Sequence, residues 1–138
     1  MTNLELPAST ESVSVARRFT RTELEHSSCD VDTVVLLVSE VVTNAVLHAR
    51  TPMIISVHDG GDVARVEVSD ASPMQPRVHG FAVDSATGRG LRLLDRLSLR
   101  WGTDQRMAGP GKVVWFEVGT PAESAWDSFA EGLALEGL

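Results

Sequence analysis

At 138 residues the chain suits one domain, large enough for a real hydrophobic core. Its net charge of −7 and pI near 5.0 argue against a nucleic-acid platform, which would carry basic stripes. The single cysteine, Cys29, excludes an intramolecular disulfide and suggests a reducing compartment. No cationic segment followed by an apolar one opens the chain, and the longest aliphatic run, Val34 to Val38, is too short to span a bilayer. The expectation is a cytoplasmic domain without membrane or direct nucleic-acid contact.

In chain order, residues 1–8 read as a polar, frayed lead-in. A moderately amphipathic helix is expected from Ser9 to Glu25, with Val15, Ala16 and Phe19 inward and Arg17, Arg18 and Arg21 outward. His26 and Cys29 have a metal-like spacing, but one pair without a second falls short of a zinc site. A second helix is predicted from Val31 to Ala49, capped by Asp30 and closed by Pro52. Two β-rich runs, Met53–His58 and Val63–Ser69, flank Asp59-Gly60-Gly61-Asp62, a hairpin signal. The second run opposes Val63, Arg65, Glu67 and Ser69 to Ala64, Val66, Val68 and Asp70, so one face is apolar and ends in an acid.

Residues 71–87 show no convincing periodicity, and a connection this long in a compact domain is uncommon unless it acts, for example, as a lid over 73–87. Gly88-Arg89-Gly90 then opens a helix continued by Leu91, Leu94, Asp95 and Leu97. Leu99–Thr103 and Lys112–Val118 read as two more strands joined through Gly109-Pro110-Gly111. Thr120-Pro121-Ala122-Glu123 combines a capping box with proline at the first helical position, and Ala122, Trp126, Phe129 and Leu133 supply the apolar stripe of a last helix. This order predicts a single α+β domain over 1–138, a two-layer sandwich with a mixed or antiparallel sheet covered on one face by helices.

The second helix raises the functional question. Glu40, Asn44 and His48 are spaced four apart and form one polar ridge, while Val38, Val41, Val42, Val46 and Leu47 cover most of the remaining circumference. A helix apolar nearly all round is buried, and a buried Glu and Asn need partners from the protein or from a ligand. The amide oxygen of Asn44 is a hard ligand suited to Mg²⁺, and Glu40 one turn earlier could deprotonate a nucleophile near the same ion. A structural pair bonded to nearby backbone fits the same residues. Asp70, at the end of a strand, could accept from an exocyclic amine such as that of adenine, and is equally an ordinary turn former. Gly88-Arg89-Gly90 could hold an anion at a helix start or simply make a tight turn. No Walker-type loop and no dinucleotide-binding βαβ context is present.

Read in order, these three segments resemble the GHKL ATPase/kinase superfamily. The matching motifs are the N box (Glu40-Val41-Val42-Thr43-Asn44-Ala45-Val46-Leu47-His48-Ala49), the G1 box (Asp70-Ala71-Ser72-Pro73) and the G2 box (Thr87-Gly88-Arg89-Gly90-Leu91), with Gly111 to Phe116 similar to the final core strand. Small size and the N-box wording are most similar to the stand-alone anti-sigma-factor kinase branch. The resemblance implies a Bergerat-type fold binding ATP with Mg²⁺. It implies Asn44 as the Mg²⁺ ligand and Glu40 as general base toward a serine hydroxyl. Asp70 and Ser72 would lie at the adenine side, with Thr87, Gly88, Arg89, Gly90 and Leu91 toward the phosphates under the lid. His48 matches a histidine often found at that N-box position, and reads either as a further phosphate contact or as a buried, hydrogen-bonded histidine. The partners implied are a sigma factor and a small anti-sigma-factor antagonist, and relatives suggest a homodimer. Two departures stand out. Ser72-Pro73 replaces the glycines of the usual G1 box, and Val113 stands where relatives often carry Ser or Thr, removing an expected hydroxyl near the adenine. These departures motivate an alternative, a catalytically weak or inactive module that regulates by docking.

Overall fold

The structure, a computed structural model, describes residues 2–72, 92–107 and 109–121. Within them the chain runs β1 (Thr2–Leu6), α1 (Glu11–Glu23), α2 (Val31–Asn44) with a π-helical continuation (Ala45–Ala49), β2 (Met53–Asp59), β3 (Ala64–Asp70), β4 (Arg100–Gln105) and β5 (Lys112–Val118). A short helix at 92–97 precedes β4. The described strands form one antiparallel sheet in the order β1-β2-β3-β5-β4. The predicted lid at 73–87, the segment Thr87–Leu91 and the last helix beyond Pro121 lie outside the described residues.

Strand alternation decides which side of the sheet is core. In β3, Ala64, Val66, Val68 and Asp70 are buried while Arg65, Glu67 and Ser69 are half-buried. Met53, Ile55 and Val57 of β2 lie opposite that buried set, and Phe116 and Val118 of β5 continue it. Onto this face α1 packs over β1 and β2, and α2 packs over β3 and β5. The inner side of α1 carries the small residues Ser12, Ala16 and Thr20, all buried, which lets α2 approach closely. The Thr20 hydroxyl is spent on the Ala16 carbonyl at 2.8 Å, so its burial leaves no donor stranded. As expected, Arg17, Arg18 and Arg21 face solvent.

Asp30 caps α2 as the sequence predicts: its carboxylate accepts from the Thr33 N–H at 3.3 Å and from the Thr33 hydroxyl at 2.8 Å. Residues 31–49 are long and apolar enough to cross a membrane by composition, yet Val34, Leu37, Val38 and Val42 are fully buried in the core between α1 and the sheet.

Two expectations change. Thr2–Leu6 is no frayed lead-in but an edge strand in register with β2, from Thr2 opposite Val57 to Leu6 opposite Met53. Leu6 joins the core and Leu4 packs against it, a contact that exists only because β2 is there to receive it. Nor is α2 apolar-buried all round: Leu47 is 44 % exposed, and Glu40 and Asn44 are half-buried. The sheet covers only one side of the helix, so the polar ridge lies at the margin of the core rather than inside it.

Candidate functional site

Near the C-terminal end of α2 the helix and the sheet part to leave a cavity of about 30 Å³, room for one or two waters. From α2 and its continuation come Val41, Asn44, Ala45, His48 and Ala49, at spacings of three and four that put them on one helical face. The opposite wall is Val68 and Asp70 of β3 with Lys112 and Val114 of β5, and Leu94 of the short helix closes one side. Six apolar and four polar side chains thus line this small space.

The helix changes register where it meets this cavity. Arg50 N–H donates to the Ala45 carbonyl at 3.2 Å, an i−5 bond, and Arg50 itself takes the left-handed conformation at φ 56° that ends the turn. The wider π turn keeps both His48 and Ala49 on the lining face together with Asn44 and Ala45.

Asn44 and Asp70, recognised separately in the sequence, therefore meet across one space, and His48 joins them at its exposed end. The Asn44 amide makes no hydrogen bond among the described residues. Glu40, one turn earlier on α2, is half-buried and is not one of the described lining residues. Ser72 is buried behind Asp70 instead of lining the cavity; its backbone N–H donates to Asp70 Oδ1 at 2.9 Å and orients the carboxylate. Thr87, Gly88, Arg89, Gly90 and Leu91 lie outside the described residues.

Lys112 is the residue that sequence reasoning missed. It opens β5 directly opposite Asp70, the last residue of β3. Its ammonium lies 3.2 Å from Asp70 Oδ1 and 3.0 Å from Oδ2, with Asp70 3 % and Lys112 8 % exposed. Gly111 sets this approach: at φ +131° it brings the turn so close that a Cβ there would sit 2.1 Å from the Asp70 carbonyl oxygen. Arg106 completes the corner by donating to the same carbonyl at 3.4 Å. A signal was available. Lys112 is the only lysine among twelve Lys and Arg residues, and it heads an inward stripe (Lys112, Val114, Phe116, Val118) antiparallel to one that ends in Asp70.

Val113 does not stand beside the cavity as its place in the motif suggests. Alternation turns it to the face opposite Lys112 and Val114, across from the half-buried Ser69, so it is not a described lining residue and its missing hydroxyl is not missing from the cavity. The position that matters there is Lys112.

On the outer face of the sheet, Arg65 stacks 4.3 Å over Trp115 and bridges Glu67 and Glu117, each at 2.9 Å. Arg100 adds a second guanidinium to Glu117 at 2.6 Å. Hydrogen bonding from Arg100, opposed by burial and reinforced by Arg65, holds the Glu117 carboxyl below the usual glutamate range. This network is remote from the cavity and braces β3, β4 and β5.

With that geometry in hand, residues 6–117 match the family model of the histidine kinase-like ATPase domain. The chain belongs to this family. A search of curated proteins returned no match. The antiparallel sheet with helices on one face is the GHKL, or Bergerat, arrangement. Histidine kinase-like ATPase domains bind ATP, typically with Mg²⁺, and carry ATP-dependent phosphotransfer or ATPase chemistry. The residues present suit that chemistry in part. Asn44 offers on the cavity wall a neutral amide that is uncommitted among the described residues, the donor type that Mg²⁺ takes alongside waters and phosphate oxygens. Asp70 offers a carboxylate, but one already engaged by Lys112 and Ser72.

Proposed function

We propose that this domain is a regulatory protein-serine/threonine kinase of the anti-sigma-factor type, cytoplasmic, which phosphorylates a small antagonist protein and binds a sigma factor. The observation that carries the nucleotide part is the convergence of Asn44, His48 and Asp70 on one largely apolar cavity. The kinase part rests on the resemblance and on Glu40, which stands one helical turn before Asn44 on the same ridge.

In this reading the Asn44 oxygen ligates the cation, and Asp70 accepts from the base. Val41, Ala45, Val68 and Val114 provide the apolar walls that exclude water. Glu40 would take the proton of the substrate hydroxyl as its oxygen bonds to the γ-phosphorus and the bond from that phosphorus to the β-phosphate oxygen breaks, with ADP as the leaving group, and the Gly88-Arg89-Gly90 signature would serve the phosphates. Bound Mg-ATP supplies the transferable phosphoryl group and the divalent charge that offsets charge in the transition state. The protein's share of the catalysis is positioning and electrostatics.

One observation favours the docking module instead. Lys112 already bonds both oxygens of Asp70, so an incoming base meets an ion pair rather than a free carboxylate. Nucleotide binding weaker than the family's norm would follow, with regulation resting more on the protein partner.

The experiment incubates the purified domain with Mg-ATP and its antagonist substrate and reads phosphoserine by mass spectrometry. Glu40→Gln should abolish phosphorylation while nucleotide affinity, read by calorimetry, stays. Full phosphorylation by Glu40→Gln would remove Glu40 as base. Mg-ATP binding without phosphorylation by the unmodified chain would favour docking.

A further inference from the structure

We propose that Lys112 and Asp70 together read the edge of a purine, and that Lys112 admits a 6-oxopurine such as guanine as well as the 6-aminopurine adenine. The proposal rests on the reading of this cavity as a nucleotide site and names which bases it takes.

An ionised carboxylate only accepts. Alone at the end of the cavity, Asp70 would welcome the exocyclic amine of adenine and repel the O6 of guanine. Lys112 changes that surface. An ammonium has three donors and no acceptor, and among the described residues its polar contacts are the two Asp70 oxygens, at 3.2 and 3.0 Å. The cavity wall therefore presents a donor with unspent capacity beside an acceptor with unspent lone pairs.

Each purine has a donor and an acceptor side by side on the matching edge. Adenine offers its N6 amine and N1; guanine offers N1–H and O6. The order of the two is reversed between the bases, so Asp70 takes the donor and Lys112 the acceptor in either case only as the ammonium, which now lies against both Asp70 oxygens, changes sides of the carboxylate. Two features of the chain suit Lys112 to this. Antiparallel register and the close turn at Gly111 hold its backbone directly across from Asp70. Its compact charge rides on a flexible four-carbon stem, unlike the rigid fork of arginine, the chain's every other cationic side chain apart from histidine. The ammonium can thus follow the base while it stays in contact with the carboxylate.

The test is calorimetric titration of the full chain with Mg-ATP and Mg-GTP, and with 1-deaza-ATP, which lacks the N1 acceptor. The unmodified chain should bind ATP and GTP within about tenfold of one another, and 1-deaza-ATP about tenfold more weakly than ATP. Lys112→Met should weaken GTP relative to ATP by about 10- to 100-fold, while Lys112→Arg keeps more of the GTP affinity. Melting curves accompany each variant, and the deaza analogue tests the contact without any substitution. ATP binding with GTP rejected by a hundredfold or more, or 1-deaza-ATP binding as well as ATP, would overturn the proposal alone. Failure of the unmodified chain to bind either nucleotide would overturn the nucleotide reading itself, and this proposal with it.

Discussion

Replacing Lys112 by methionine isolates the energetics of the pair on which the cavity is built. At 3.0 Å and an effective dielectric of about 20, the Coulomb attraction between Lys112 and Asp70 is about 5 kcal/mol. Withdrawing each ion from water costs several kcal/mol, so the intact pair is nearly balanced. Removal of one partner is not balanced, because it strands the other, and such losses run at about 3–5 kcal/mol. Here Asp70 keeps the Ser72 N–H bond at 2.9 Å and adjoins a cavity that can admit water. Both place the expected loss for Lys112→Met at the low end, about 3 kcal/mol. Asp70→Asn should lose about 2–3 kcal/mol for the converse reason. The double variant should lose no more than the worse single one, a coupling of about 2–3 kcal/mol. Urea unfolding followed by tryptophan fluorescence measures all three, since Trp101 and Trp115 lie on the strands beside the pair. Single losses that add to within about 0.5 kcal/mol would refute the reasoning, because they would mean the two charges are solvated separately.

Three further outcomes follow from the same structure. Asn44→Ala should weaken Mg-ATP binding by at least about tenfold with an unchanged melting temperature, because the amide spends no hydrogen bond on the described protein; unchanged affinity removes Asn44 from the site. Gly111→Ala should destabilise the domain by about 2–4 kcal/mol, since the new Cβ meets the Asp70 carbonyl at 2.1 Å in a backbone region that L side chains avoid; an unaltered calorimetric melt contradicts the turn geometry. Glu117 has a lowered carboxyl pKa, so its stabilisation is present above the ordinary glutamate value of about 4.3 and is lost as pH falls through the folded value. Glu117→Gln should therefore flatten the fall in melting temperature below about pH 4.3, and an identical acid limb in the variant would exclude this network as its source.

What could be read from the sequence was whatever is encoded within one segment. Asp30 caps its own helix, the inward stripe of β3 ends in Asp70 by period-two alternation, and β5 runs from Lys112 to Val118 as its β-rich composition predicts. The α+β architecture followed from the order of such segments, and the family from three motifs that are each weak alone. Tertiary structure decided what depends on a distant partner. Residues Thr2–Leu6 have no strand signal of their own and become β1 only against β2. The inward and outward sets of β5 each mix charge with apolar residues, so its facing, and with it the irrelevance of Val113 to the cavity, is settled only when β5 pairs with β3 beneath α2. That same pairing, 42 residues apart in the chain, joins Lys112 to Asp70. Local periodicity determines which side chains share a face; only the register between strands determines whom they face.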